Sequence, residues 1–422
     1  MYGKTAMHII EKLEGERIAG TQNAKEAEEL IVRFIKSLGL KPKREYFHIQ
    51  SSDTDLSIIK AGKKEFECLP MGLSVPFNVQ GKLLFLNSAD ECRRIDIDLK
   101  NRILLTRNKP KPKYFPELKE KGLKGIIVIT RTDNLISSSH LSHWMIEENC
   151  IIPSATVSYE TGLELMKYKN SVITIQGKGS TSKRKSSNII ADIKGKENTD
   201  ETIIIMGHYD TVPLSPGASD NGGGTGIIAE LIEYFNKRPV RRNLRFIFFS
   251  GEEWGLWGSR YYCSRHKKEL EKVILGINID VAGDTIGSDF SLITANRRLV
   301  NTVKDIADFE GMHFNIEKSI YSSDNMPFAF NSVPTVSFGR ARGKSSSYIH
   351  TNRDNSQFIS PEGLNNTINI ALALIERSGN ARINIIERLI DSDIRDKIID
   401  YFRDRGIERD SITENLPFTN TN

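Results

Sequence analysis

Apolar residues recur at every third or fourth position over residues 8–40, a spacing that predicts helices. The stretch "GERIAGTQN" interrupts this pattern, and Gly39 ends it. From about residue 46 to residue 176 the pattern changes to short apolar runs typical of strands, such as "RILLTR" and "GIIVIT". One helical pattern, "FPELKEKG", lies between two of these runs. The first part of the chain therefore predicts a helical start followed by a β-rich region.

A stretch without any apolar side chain, "GKGSTSKRKSSN" at 177–188, follows and predicts a linker. Beyond it, strand-like and helix-like patterns alternate, which favours an α/β fold with a mixed, mostly parallel sheet flanked by helices. The strand-like runs are "NIIADIKG", "TIIIMGH", "LRFIFFSG", "VILGINIDVAG", "FSLITA" and "VPTVSFG". The helix-like segments are 225–237, 256–272, 297–310, 361–378 and 385–402.

A chain of 422 residues is too long for one ordinary core and predicts more than one domain. We expect the helical start at 1–50 to belong to the main α/β domain at 181–380, with a β-rich domain inserted at 51–180. The last part, 381–422, is expected to be a helical extension ending in the polar tail "SITENLPFTNTN", whose composition predicts fraying.

Composition narrows the class of protein. A hydrophobic content of 38% with 27% charged residues is typical of a soluble globular protein, and a net charge of +5 is too small to indicate nucleic acid. The apolar runs are too short to span a bilayer, and the N-terminus lacks the apolar region of a signal peptide. The four cysteines show no CxxC spacing. These features predict a cytoplasmic protein with neither a nucleic-acid nor a membrane partner. The amphipathic helix predicted at 385–402 either mediates self-association, giving a homo-oligomer, or caps the domain.

The loop "MGHYDTVPLSPGASDNGGGTG" at 206–226 carries the first candidate chemistry, since it contains His208, Asp210 and Asp220 directly after a predicted strand. A phosphate-binding loop is the weaker interpretation, because "GGGTG" matches neither GxGxxG nor GxxxxGK[ST]. A metal site is the stronger one, because further acids and a histidine follow other strands.

Ligand-type side chains follow four predicted strands, whose carboxyl ends meet at one edge of such a sheet. They are His208, Asp210 and Asp220 after the first strand, Glu252 and Glu253 after the second, Asp280 after the third, and His350 after the fourth. An oxygen and nitrogen ligand set without thiolate suits zinc, with manganese or cobalt as substitutes. The number of carboxylates exceeds what one zinc needs, which favours a bridged site with two Zn²⁺ per chain.

The motifs "GHYDTV…GASDNGGGTG", "FFSGEEWGLWGS", "NIDVAGD" and "YIHTNRD" resemble, in order, those of the co-catalytic zinc exopeptidases that include aminopeptidase Y, glutamate carboxypeptidase and the transferrin receptor. The resemblance covers roughly residues 188–375, and "ERIAGTQNAKEAEELIVRFIKSLGL" is similar to the family's N-terminal helix. It implies a peptide substrate.

The resemblance also implies a role for each ligand. One zinc is expected on His208 and Asp280, the other on Glu253 and His350, with Asp220 bridging both. Glu252 is expected to act as general base on the metal-bridging water, and Asp210 to orient His208. The family further carries a cis peptide after the bridging aspartate, here Asp220–Asn221.

The inserted region has its own resemblance, to the protease-associated domain found in such peptidases. It rests on "NRILLTR", "FPELKEKGLKGIIVITR" and "IIPSATVSYETGLELM", and Leu123 and Lys124 depart from the usual alanine-containing turn. We expect this domain either to narrow access to the active site or to be a passive structural lobe.

Substrate contacts are predicted at four further residues near the last motifs, and three of them have a simpler alternative. Asp324 lies where relatives carry a segment near the substrate, or it caps a helix. Arg340 and Arg342, with Lys344, could bind a substrate carboxylate, which would favour a carboxypeptidase or dipeptidase, or they form a solvated basic loop. Tyr348 is the fourth candidate.

The sequence thus predicts a two-zinc metallopeptidase, most simply an aminopeptidase that removes N-terminal residues. One alternative is a glutaminyl-cyclase-like acyltransferase, which uses one zinc on the same fold. Another is a non-catalytic receptor of the transferrin-receptor type, although such relatives lose ligands that this chain keeps. A metalloprotease of the HExxH type is excluded, because no His–Glu pair occurs.

Overall fold

The computed structural model describes residues 2–94 and 97–407, and the polar tail predicted at 411–422 lies outside this range. The chain forms two compact units. The first combines the N-terminal segment up to Ile49 with Lys185–Tyr401, and the second is formed by Gln50–Arg184 with the segment that follows from Phe402. Within the described ranges, no helix has the length and apolar character needed to cross a membrane.

The strands, numbered in chain order, are β1 Lys43–Asp55, β2 Ser57–Ala61, β3 Lys64–Pro70, β4 Phe77–Phe85, β5 Arg102–Thr106, β6 Gly125–Ile129, β7 Ser154–Val157, β8 Val172–Ile193, β9 Thr202–His208, β10 Asn243–Phe249, β11 Val273–Ile279, β12 Ser288–Thr294, β13 Asn315–Lys318 and β14 Thr335–Ala341. The helices are α1 Lys4–Leu13, α2 Gln22–Ser37, α3 Glu91–Arg94, α4 Phe115–Glu120, α5 Trp144–Glu147, α6 Tyr159–Met166, α7 Gly224–Lys237, α8 Trp257–Arg265, α9 Lys267–Leu270, α10 Arg297–Phe309, α11 Asn325–Phe330, α12 Lys344–Ser347, α13 Pro361–Asn380 and α14 Ser392–Arg405.

The sheet of the first unit has the strand order β13-β12-β14-β11-β9-β10-β8. Its four central strands, β14, β11, β9 and β10, run parallel, and β12 and β8 pair antiparallel on either side of them. The predicted mixed, mostly parallel sheet is confirmed. The carboxyl ends of the central strands lie at one edge, since Phe249 pairs with His208 and Ile279 with Phe338.

Both faces of this sheet are apolar because its central strands are buried on both sides. On β9, Ile203 and Ile205 pack into one core with helices α1, α7, α10 and α13, whereas Ile204 and Met206 face a second cluster that includes Phe328 of α11. This near-continuous apolar run is the pattern expected of a strand covered on both faces. The sheet is therefore flanked by helices, as predicted.

In the second unit the sheet closes on itself, in the order β8-β2-β3-β7-β6-β5-β4 with β4 pairing back to β8. Ile175 of β8 shows the closure directly, since it pairs with Ile59 of β2 on one side and with Val79 of β4 on the other. Apolar residues such as Ile103, Ile127 and Ile175 are fully buried in the core of this unit. Closure leaves these strands without a free edge.

The predicted linker at 177–188 is wrong, because these residues lie within the long strand β8. This segment has no apolar side chains, and its polar side chains form hydrogen bonds with side chains of β1. The hydroxyls of Ser52 and Thr181 hydrogen bond at 2.7 Å, and Arg184 Nη1 donates to Asp53 Oδ1 at 2.8 Å. Composition alone cannot separate such a polar strand from a linker.

The helix predicted at 385–402 begins only at Ser392, so its first part is wrong. Ile386 and Ile390 are buried from a non-helical segment, and the amide of Ile386 is bound by the side chain of Asn384 at 2.9 Å. Ile386 and Ile390 are four residues apart, the spacing of neighbours on one face of a helix, although this segment is not helical. The other helix-like segments are helical, with 256–272 divided into α8 and α9.

Candidate metal centre

The predicted ligands come together at the carboxyl edge of the central strands. His208 is the last residue of β9, and Asp280 directly follows β11. Glu253 lies in the turn after β10, and His350 lies in the loop after β14, beyond α12. Asp220 comes from the irregular turn Ala218–Gly223 that leads into α7. The parallel sheet therefore brings together side chains far apart in sequence.

The five side chains form two groups of three that share Asp220. His208, Asp220 and Asp280 make the first group, and Asp220, Glu253 and His350 the second, with the ligand atoms of each group within 4.8 Å of one another. His208 Nε2 lies 3.2 Å from Asp220 Oδ1 and 3.4 Å from Asp280 Oδ1. Two separate oxygens of Asp220 thus face two different histidines.

The second group is equally close. His350 Nε2 lies 3.1 Å from Asp220 Oδ2 and 3.1 Å from Glu253 Oε2. His208, Asp220, Glu253 and Asp280 are buried, whereas the His350 side chain is 36% exposed. The second group is therefore the more accessible side of the cluster.

Electrostatics in this cluster are dominated by burial and by the carboxylates. Burial disfavours the charged imidazole of His208, but the neighbouring carboxylates of Asp210, Asp220 and Asp280 outweigh it and raise the pKa of His208 well above its ordinary value. The pKa of Asp220 is lowered, although burial acts to raise it, because His208 and His350 adjoin its two oxygens. The carboxylate shared by the two groups is thus held ionised.

The donor set fits a divalent metal such as zinc, being composed of imidazole nitrogens and carboxylate oxygens. Among the described residues, the buried atoms His208 Nε2, Glu253 Oε1 and Asp280 Oδ1 have no hydrogen-bond partner. Buried polar atoms normally have partners, so unpaired atoms on residues of these two groups indicate a ligand site. The chemistry and the geometry agree.

The orientation of His208 is set by residue Asp210, though not mainly by its carboxylate. The Nδ1 atom of His208 lies 3.1 Å from the backbone oxygen of Asp210 and 3.6 Å from its Oδ1. Because a carbonyl only accepts, Nδ1 carries a proton, which leaves Nε2 as the atom available to a metal. The carboxylate of Asp210 instead accepts the amide of Glu252 at 3.2 Å.

Adjacent glutamates after β10 have different surroundings. Glu253 belongs to the second ligand group, and Glu252 belongs to neither. Burial raises the pKa of Glu252 well above its ordinary value, with His208 opposing this shift and Glu253 adding to it. Burial also raises the pKa of Glu253, against the nearby charge of His350. Glu252 is thus a carboxyl beside the ligands with a raised affinity for a proton.

The glycines after Asp220 bring the start of α7 against the end of β11. A Cβ on Gly224 would lie 2.2 Å from the oxygen of Ile279, and one on Gly223 would lie 2.3 Å from the oxygen of Ala282. Asn221 Nδ2 also donates to the Ile279 oxygen at 2.9 Å. The peptide Asp220–Asn221 is cis, as the resemblance implied.

Asp324 lies at the N-cap position of α11, but its side chain does not cap the helix. It is fully buried, and neither of its carboxylate oxygens has a hydrogen-bond partner within the described part of the chain. Burial, opposed by the charge of His208, raises its pKa to about 7. The capping alternative for Asp324 is therefore wrong.

Arg340 and Arg342 have different positions, although both were predicted to contact substrate. Arg340 Nη1 forms an ion pair with Asp289 Oδ2 at 2.7 Å, across the pairing of β14 with β12. Its Nε donates to the backbone oxygen of Asp284 at 2.7 Å, so the guanidinium is bound within the protein itself. This pairing argues against a substrate contact by Arg340.

Arg342 borders a cavity of about 300 Å³ beside the ligands. The cavity is lined by Val281, Phe290, Tyr321, Ala341, Arg342, Ser346, Ser347 and Ile349. Val281 and Ile349 directly adjoin the ligands Asp280 and His350. Tyr348 does not line it; its ring lies near Lys344 and Arg353. The cavity is mainly apolar, and Arg342 is the charged residue among those that line it.

Three residues with long-range contacts to this region escaped the sequence analysis. The ring of Tyr321 lines the cavity, and burial together with the charges of Asp280 and Asp220 raises its pKa well above the ordinary value. Arg17 and Asp354 hold the loops that carry the ligands. Arg17 lies within the motif "ERIAGTQ" and Asp354 within "YIHTNRD", and membership of these motifs is the sequence signal that could have identified them.

Arg17 is buried and binds the backbone on both sides of the ligand loop. Its guanidinium donates to the oxygens of Leu13, Tyr209, Pro216 and Gly217 at 2.7–2.9 Å. Burial lowers its pKa to about 10, with the carboxylate of Asp354 opposing the shift. The loop from β9 to Asp220 is thus fastened to the N-terminal helix region.

A family model described as peptidase family M28 matches residues 188–375, the region that contains all five ligands. Aminopeptidase YwaD of Bacillus subtilis is 27% identical over 383 residues, which cover 86% of this chain and 81% of that protein. Carboxypeptidase Q of Bos taurus is 23% identical over 401 residues, 86% of this chain and 84% of the relative.

Among solved structures, the zinc aminopeptidase BSAP from Bacillus subtilis superimposes with a TM-score of 0.75. The match covers 93% of this chain and 98% of that one at 23% identity. A likeness of this kind establishes that the two chains share the fold. A shared fold does not by itself indicate a function, so the functional argument rests on the geometry of the candidate ligands described above.

We expect Asp220→Ala to remove more metal than either Asp280→Ala or His350→Ala. Asp220 presents one oxygen to each ligand group, whereas the other two residues each serve one group. Metal content after dialysis should be about two zinc equivalents in the unaltered protein and close to none in Asp220→Ala. Equal metal loss in the three variants would contradict a shared ligand.

Proposed function

We propose that this chain, which belongs to peptidase family M28, is a zinc-dependent exopeptidase with two metal ions and that it acts as an aminopeptidase. The observation that carries the proposal is the sharing of Asp220 by two compact ligand groups. A single tetrahedral zinc site needs no such shared carboxylate. This argument favours the peptidase over a one-zinc glutaminyl-cyclase-like acyltransferase.

In this proposal His208 and Asp280 would hold one ion and Glu253 and His350 the other, with one oxygen of Asp220 available to each group. When bound, two zinc ions lower the pKa of a water and polarise the carbonyl of the substrate. Asp210 keeps the imidazole of His208 in the tautomer that a ligand needs, through the 3.1 Å contact of its backbone oxygen.

Glu252 moves the proton in this mechanism. It accepts a proton from the attacking water and returns it to the leaving amine, which requires a carboxyl that binds and releases a proton near neutral pH. The raised pKa of Glu252 and its exclusion from both ligand groups support this role. Glu253 is committed to the second ligand group and is not available for it.

The cavity beside the ligands supports a substrate whose terminal side chain is apolar. Its walls include Val281, Phe290 and Ile349, and Arg342 adds a positive charge. The names of the relatives agree with either direction of action, since one is an aminopeptidase and the other a carboxypeptidase. The direction of cleavage is therefore the first property to test.

We propose the second unit as a protease-associated domain. A closed β-rich unit inserted between Ile49 and Lys185 is compatible with that assignment.

A cytoplasmic location remains a prediction from the sequence. Fractionation of the native cells, followed by immunodetection, tests the location directly.

Cleavage should require a free N-terminus. A tripeptide would be offered in three forms: unmodified, N-acetylated and C-terminally amidated. We expect the amidated form to be cut at a rate similar to the unmodified one and the acetylated form to resist, with products identified by mass spectrometry. Cleavage of the acetylated form together with resistance of the amidated form would instead indicate a carboxypeptidase.

Glu252→Gln should lose rate without losing metal. The substitution keeps size and polarity but removes the proton acceptor, and loss of a general base costs roughly 10²–10⁴-fold in rate. Glu253→Gln should lose metal first, so that added zinc restores part of its activity. Metal content and single-turnover rate would be measured with and without added zinc. If Glu252→Gln loses metal while Glu253→Gln remains loaded and inactive, the two roles are exchanged.

Arg342 should disfavour substrates with a cationic N-terminal side chain. Arg342→Ala is expected to raise kcat/KM for a lysyl substrate about tenfold, equivalent to about 1.4 kcal/mol, while a leucyl substrate changes less than about threefold. Lys344→Ala is the matched control, since Lys344 carries the same charge without lining the cavity. An unchanged ratio of lysyl to leucyl activity in Arg342→Ala would contradict this placement of the substrate side chain.

A further inference from the structure

Asp354 contacts the turn that carries the shared ligand, but it belongs to neither ligand group. Its Oδ1 accepts the amide of Ser219 at 2.8 Å, and its Oδ2 accepts the amide of Asp220 at 3.0 Å. Its backbone oxygen accepts the amide of Ala218 at 3.0 Å. Three successive amides are therefore fixed by one residue.

These bonds are protected from water and supported by a fourth. Asp354 is fully buried, and the hydroxyl of Ser345 donates to its Oδ1 at 3.3 Å. Hydrogen bonds in a buried site are stronger than exposed ones. The backbone at Asp220 consequently has little freedom to move while Asp354 is in place.

The position of Asp354 in the chain gives these bonds a second consequence. It lies four residues after His350, in the loop that follows β14, while Asp220 belongs to the loop that follows β9. Asp354 therefore joins the loop of one ligand to the loop of another. Side chains that support ligands in this way typically change metal affinity 10–100-fold when altered.

We propose that Asp354 is a positioning residue that fixes the shared ligand Asp220 relative to His350 and so sets the affinity for both metal ions. This inference rests on the proposed two-metal function. Asp354 holds the backbone of Asp220 against the repulsion of neighbouring carboxylates, and it acts on the metals only through Asp220 and His350.

The variant Asp354→Asn tests this role because it preserves size while removing one acceptor. One of the two carboxylate oxygens is replaced by an NH₂ group, which faces a backbone amide N–H and cannot accept a hydrogen bond from it. Metal-free protein would be titrated with Co²⁺, and the visible absorption followed. We expect both dissociation constants to rise about 10–100-fold, with an altered spectrum from the bound ions.

Glu230→Gln is the matched control. Glu230 is also buried and accepts two backbone amides, those of Gly3 at 2.7 Å and Ala6 at 3.0 Å, but it does not touch Ala218–Asp220. We expect its metal-free Tm to fall about as much as that of Asp354→Asn, while its Co²⁺ affinity stays within about threefold of the original. Equal loss of affinity in the two variants would show a merely structural role and overturn the proposal.

Two further outcomes decide the remaining cases. Unaltered affinity and spectrum in a folded Asp354→Asn would overturn the inference, whereas failure of the unaltered protein to bind a second ion would overturn the proposed function itself. If Asp354→Asn does not fold, Ser345→Ala removes only the supporting hydroxyl. It should weaken Co²⁺ binding about 2–5-fold, the effect of losing one modest hydrogen bond, and no change would again overturn the inference.

Discussion

The repulsion among buried carboxylates is the constraint on which this molecule's candidate centre depends. Asp220 lies within a few ångströms of Asp280 on one side and of Glu253 on the other, and all three are buried, with little water to screen their charges. Two imidazoles separate them, each with its Nε2 between two carboxylates at 3.1–3.4 Å. Divalent cations relieve such repulsion more effectively than imidazoles do, because they bring two charges to the same point.

The fold meets this constraint with backbone hydrogen bonds in the loops that carry the ligands. Arg17 donates to carbonyls on both sides of the loop after β9, and Asp354 accepts the amides that precede the shared ligand. Backbone strain is accepted at the same place, since Val281 and His350 have positive φ values of 57° and 61°. The ligands are thus held by the surrounding loops, and a site built in this way is organised before substrate arrives.

The sheet and the positions of the candidate ligands were predictable from the local pattern of apolar and polar residues. Features that depend on contacts between distant parts of the chain were not. His208 and Asp280 were found because each ends a buried strand, and parallel strands share an edge. Asp354 was missed because its partners Ser219 and Asp220 lie 135 and 134 residues away, where no periodicity connects them. The polar part of β8 was misread because its cross-strand partners, not its composition, make it a strand.

In the proposed function, the two glutamates after β10 divide metal binding from proton transfer within one turn. The amide of Glu252 is tied to Asp210, which itself orients His208, so the backbone here is fixed relative to the first ligand group. Glu253 points into the second group, and within the described residues the carboxylate of Glu252 receives no hydrogen bond. A carboxyl that must take up and release a proton works best when no fixed donor stabilises its charged form. In the proposed function, the same turn therefore supplies one acid that holds a metal ion and one that transfers a proton.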